Sequence, residues 1–93
     1  LTMTVRRTGR IEDALALATT LVARGEASPE ASRRFRAYFR LLRGECLLEL
    51  GHLLEAEDEL LRAHEVLVAI NDSAQHESSA ALERLETARR AGS

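Results

Sequence analysis

The chain has 93 residues, 45% of them hydrophobic, 3% aromatic and 30% charged, with a formal net charge of -2. A chain of this length buries roughly 60–65% of its unfolded surface and is held by about 5–14 kcal/mol, which suits one core and excludes a second. Its longest apolar runs, Ala14 to Ala18 and Val66 to Ile70, fall far short of the roughly 20 residues that span a bilayer, and its N-terminus has no signal-peptide core. The expected setting is the cytoplasm, with no membrane contact.

Ala and Leu dominate, Pro occurs once, and strand-forming residues are few, so helices are expected throughout. Leu1 to Arg10 show no helical periodicity, and Thr2-Met3-Thr4-Val5 alternates like a strand, so residues 1–8 read as an N-terminal tail and residues 9–91 as one helical domain. The first helix runs from about Gly9 to Arg24, with Ile11, Ala14, Leu15, Ala18, Leu21 and Val22 on one face, and Gly25 closes it. Ser28-Pro29-Glu30 reads as an N-cap, a first-turn proline and a first-turn acid for a second helix reaching about Leu50. That helix has an apolar stripe of Ala31, Phe35, Tyr38, Phe39, Leu42, Cys46 and Leu50. Leu41, Leu47 and Leu48 add a second stripe around Gly44, so its C-terminal half is expected to be buried on two sides.

The third helix, about Leu53 to Ile70, carries Leu53, Ala56, Leu60, Ala63, Leu67 and Ile70 on one side and Leu54, Leu61 and Val68 beside them. It too is expected to be nearly sandwiched. Asn71-Asp72-Ser73 breaks the chain before a fourth helix, about Ser73 to Ala91, in which Asp72 and Gln75 form a capping-box-like pair. Its stripe of Ala74, Ala81, Leu82, Leu85 and Ala88 is the weakest, so this helix should be the least firmly held.

Two segments match in register: Gly9-Arg10-Ile11-Glu12-Asp13-Ala14-Leu15 and Gly51-His52-Leu53-Leu54-Glu55-Ala56-Glu57, offset by 42 residues. Periods of this size mark solenoids, in which each unit buries its face on the next. The segment from Gly44 to Ala63 resembles a tetratricopeptide repeat, with Gly44, Leu47, Gly51, Ala56, Leu60 and Ala63 at the repeat-packing places. Gly44 and Ala56 allow two helices to approach closely, Gly51 ends the first helix, and Ala63 leaves room for the next unit. The resemblance implies an all-α, right-handed superhelical stack of four antiparallel helices, made of a half repeat, a full repeat and another half. The spacing fits a long-helix variant of the family, as in bacterial signalling and transcription regulators. Arg40 and Arg43 stand where the family commonly has a large aromatic and a Leu.

Arg33, Arg36, Arg40 and Arg43 step along one side of the second helix. They read either as a stripe that binds phosphate or carboxylate, or as a face paired with the third helix, where Gly51 to Asp72 carries one Arg against six acids. Reversing the charge at Arg36 and Arg40 is expected to leave folding intact. His52, His64 and His76 lack the close spacing of a zinc site, lone Cys46 reads as a core residue, and no nucleophile–base pair or phosphate loop occurs. No metal, cofactor or catalysis is expected. What the resemblance implies is a protein-binding scaffold whose groove is lined by Tyr38, Leu41, Glu45, Leu48 and Glu49. Its partner would be a peptide, another protein or a second copy forming a homodimer, with the chain as part of a larger bacterial regulator. The alternative is a nucleic-acid-associated regulator using the Arg stripe, which the acidic balance makes unlikely. Members that clamp a terminal carboxylate use Lys and Asn, whereas this chain has no Lys and its single Asn is Asn71.

Overall fold

A computed structural model describes residues 2–27 and 32–92, with side chains from residue 9 onward. It contains four helices, α1 (Thr2–Ala27), α2 (Arg33–Glu49), α3 (Leu53–Ala69) and α4 (Gln75–Ala91), and no strand among the described residues. Thr2 to Thr8, in the segment without helical periodicity, are helical and continue into the turn that holds Gly9. Neither Gly9 nor Gly25 ends the helix, because a single glycine costs an α-helix only about 1 kcal/mol and the flanking residues are good helix formers.

Ser28-Pro29-Glu30 and Ala31 lie outside the described residues. The cap of α2 is Ser32, whose hydroxyl accepts the Phe35 amide at 3.1 Å. Its far end closes on Gly51 at φ 82°, with the His52 amide donating to the Leu47 carbonyl and the Gly51 amide to the Leu48 carbonyl. This pair of bonds ties off the last carbonyls and needs a left-handed residue, which glycine adopts without steric penalty. Asn71, at φ 55°, performs the same service for α3, where the Asp72 amide reaches Leu67 and the Asn71 amide reaches Val68. The Asp72–Gln75 pair is only partly a capping box. The Asp72 carboxylate accepts the Ala74 amide, but Gln75 Nε2 donates to the Asp72 carbonyl rather than accepting its amide.

α1 packs on α2, α2 on α3 and α3 on α4, and α4 also reaches α2. The core is aliphatic: Ala37, Leu41 and Leu47 of α2, Ala56, Leu60, Ala63 and Leu67 of α3, and Ala81 and Leu85 of α4. At its centre Gly44 lies directly against Leu60, with no space for a β-carbon. Ala18 of α1 is fully buried, as is Ser78 of α4, whose hydroxyl lies 2.6 Å from His64 Nδ1.

One expectation about α3 fails. Leu54, Leu61 and Val68 are exposed, Leu54 by 81%, so the helix buries one side only. Their seven-residue spacing puts them in line on the face that no other described helix covers. In α4 none of the large apolar side chains is exposed, and its outward positions include Glu83, Arg84, Glu86 and Arg90.

Candidate functional site

The open side of α2 differs from the one periodicity suggests. Its apolar stripe is not all core: Phe35 is 57% exposed and Leu42 40%, and Tyr38, Phe39 and Glu45 are half-buried around them. Steps of three, four and seven residues put Phe35, Tyr38, Leu42, Glu45 and Glu49 along one face. Phe35 stacks on Phe39 with ring centroids 6.5 Å apart. Of the residues expected to line the groove, Tyr38, Glu45 and Glu49 do face it. Leu41 is buried at its floor and Leu48 packs against the core. Phe35 and Leu42 were assigned to the core by their helical spacing, which cannot tell a helix with one neighbour on that side from a helix with two.

Both flanks of this face are built. On one side, Gly25 of α1 sits against Phe39, and Ile11 and Ala14 share a pocket with Glu45, Cys46 and Glu49. Leu17, one turn beyond Ala14, is 58% exposed. On the other side, Ser73, Ala74, His76 and Glu77 at the start of α4 close a cleft with Tyr38, Leu41, Leu42 and Glu45. The result is a groove along α2 made of two clefts that meet at Glu45, with exposed Phe35 on the same face at one end and carboxylates at the other.

That end is electrostatically loaded. Burial, with Glu77 beside it, pushes the Glu45 carboxyl up to about 7, although Arg84, 3.7 Å away, offsets part of the effect. Arg84 also pairs with Glu49 at 3.5 Å. A carboxyl with a folded pKa above its unfolded one binds extra protons in the native state between about pH 4.5 and 7, so stability falls as pH rises through that window. With the side chain 27% exposed and therefore partly screened, a loss of about 1 kcal/mol is expected between pH 5 and pH 8. Glu45→Gln should flatten this slope in urea titrations at the two pH values; an unchanged slope would remove Glu45 from the account.

At the apolar end, the Tyr38 hydroxyl donates to both Asp72 oxygens at 2.9 and 2.8 Å, and Arg34 Nε lies 2.8 Å from Asp72 Oδ2. The Ala74 amide and the Tyr38 hydroxyl hold the Asp72 carboxyl below its usual range, and the same hydrogen bond to Asp72 raises the Tyr38 phenol. These contacts tie the first half of α2 to the α3–α4 turn. Cys46 is buried, and burial followed by Glu45 and Glu49 raises its thiol, which disfavours the reactive thiolate.

The Arg stripe lies on a different side of α2 and is largely engaged within the fold. Arg40 pairs with Glu26 of α1 and, at 3.0 Å, with Glu59 of α3. Arg43 reaches Glu59 at 3.6 Å, Glu55 at 3.8 Å and the Thr19 hydroxyl at 3.0 Å. Glu59 is buried, and its Oε2 has no hydrogen-bond partner among the described residues. Arg33 and Arg36 share a shallow pocket with Glu26, Arg62 and Glu65. Arg34, outside the spacing of the stripe, is the member that meets Asp72. His52, His64 and His76 do not converge, and no group of metal-ligating side chains occurs among the described residues. No described helix is long and apolar enough to cross a membrane.

No protein-family model matches the chain, and no curated protein or solved structure matches it either.

Proposed function

We propose that this chain is a non-catalytic protein-interaction module, similar to tetratricopeptide repeats with long helices, which holds a segment of another protein along α2. In this reading α1 is the second helix of one repeat, α2 and α3 form a full antiparallel repeat, and α4 is the first helix of the next. Gly44 against Leu60 and the glycine turn at Gly51 are in keeping with such a repeat. The observation that carries the functional reading is the groove itself. A small domain with few aromatics leaves Phe35 and Leu42 exposed on one face of α2, while the outer face of α4 is polar. Contiguous exposed apolar side chains between two flanking helices are a feature of binding surfaces.

The nucleic-acid alternative draws less support, because Arg40 and Arg43 already face carboxylates inside the fold and neutralising phosphates would require them free. A photo-crosslinking residue at Leu42, with one at exposed Glu83 as control, tests the proposal in cells. Protein adducts are expected from position 42 alone. Adducts from neither position, or equally from both, would overturn it.

A further inference from the structure

Along α2 the groove changes chemistry with distance. Phe35, Leu42 and Glu49 are separated by seven residues each, about 10.5 Å per step along the helix axis. The first step is apolar, carrying the Phe35–Phe39 stack and exposed Leu42 above buried Leu41. The second ends among Glu45, Glu49 and, from α4, Glu77, against only two guanidinium groups, Arg84 and Arg10. Arg84 divides itself between Glu45 and Glu49 at 3.7 and 3.5 Å, both longer than a tight charged hydrogen bond. Negative charge is therefore in excess at one end, whereas at the other the one carboxylate described, Asp72, is matched by Arg34 at 2.8 Å.

Resting on the interaction-module reading, we propose that the occupant is an amphipathic helical segment of a different protein, with apolar residues over Phe35 to Leu42 and a Lys or Arg over Glu45 and Glu49. Its apolar side chains recur at i, i+3 or i+4 and i+7, matching the turns of α2. The cation follows roughly one heptad later. A second copy fits poorly. A two-fold pairing about Leu42 would lay Glu49 over Phe35 and desolvate a carboxylate on an aromatic ring, whereas a parallel pairing would bring the acidic ends together. A basic side chain instead lets Glu45 stay ionised, so binding should release a proton and strengthen as pH rises.

Three labelled helical peptides with the same apolar residues and Arg, Gln or Glu at the distal position test this by fluorescence anisotropy on the full chain. The Arg peptide is expected to bind about five- to tenfold more tightly than the Gln peptide and more than tenfold more tightly than the Glu peptide, with the gap narrowing at high salt. Glu45→Gln with Glu49→Gln should erase the preference for Arg. Leu42→Glu, checked for folding by circular dichroism, should lose all three peptides. Equal or better binding of the Glu peptide, a preference that survives the double variant, or no binding by any peptide would overturn the proposal. Crosslinking from position 42 without a preference for Arg refutes the basic occupant and spares the module. So does light scattering that finds a dimer abolished by Leu42→Glu, in which case the occupant is a second copy. Absence of crosslinks at position 42 refutes the module itself.

Discussion

Arg40→Glu is expected to destabilise the chain by about 3–5 kcal/mol, a large part of what holds a domain of this size. The reversal would gather three carboxylates, since Arg40 lies between Glu26 and buried Glu59 and only Arg43, 3.6 Å from Glu59, would remain to offset them. A buried charge stripped of its partner loses the Coulombic gain and keeps the desolvation cost. Arg33→Glu, on an exposed residue, should change stability by no more than about 0.5 kcal/mol. Urea unfolding of both variants provides the check, and equal midpoints would mean that Arg40 is a solvated surface residue. Replacing Arg40 and Glu59 together by Leu should recover most of the loss, because no buried carboxylate is then left without its partner: Glu26 is half-exposed and Arg43 keeps Glu55. Periodicity treats Arg36 and Arg40 as equivalent members of a wet face and so expects their reversal to be tolerated. The burial of Glu59 one helix away makes Arg40 structural.

Gly44→Ala is the second large effect, expected to cost about 2–3 kcal/mol through overpacking. An ideal β-carbon at Gly44 would stand 2.7 Å from Leu60 Cγ and 3.3 Å from the Leu60 backbone nitrogen, so relief requires α2 and α3 to separate rather than one side chain to rotate. Gly9→Ala is the matched control. Nothing lies within 4 Å of its β-carbon, and a helical glycine replaced by alanine should gain about 0.5–1 kcal/mol. Thermal melts that shift in the same direction for both variants would contradict the close approach at Gly44.

The sequence is legible where local chemistry decides. Gly51 and the Asn71-Asp72-Ser73 break mark the ends of α2 and α3 because left-handed caps demand particular residues, and Ala56, Leu60 and Ala63 announce the buried side of α3 by their spacing. It is less legible where the number of neighbours decides. Leu54, Leu61 and Val68 have the same spacing as core residues, yet they are exposed because no described helix packs on that side of α3. Phe35 and Leu42 fail for the same reason, and they are the heart of the groove. Thr2 to Thr8 show the converse: a weakly periodic segment can stay helical by continuing a helix already nucleated downstream. A signal for Tyr38 with Asp72 did exist, as a polar tip on an apolar face that needs a buried partner, but its partner is 34 residues away.

α1 rests on α2 alone, while α2, α3 and α4 contact one another around a shared core. A helix attached on one side is the natural unit of sub-global opening, so its amides should exchange hydrogen faster than those of α2 and α3, and by a common event rather than by fraying. Because Ile11 and Ala14 of α1 share a pocket with Glu45 and Glu49, each opening also dismantles part of the surface that would receive a ligand. Occupancy and the docking of α1 are then two sides of one equilibrium: a bound segment slows exchange in a helix it only partly touches, and a mutation that loosens α1 weakens binding without altering a contact residue.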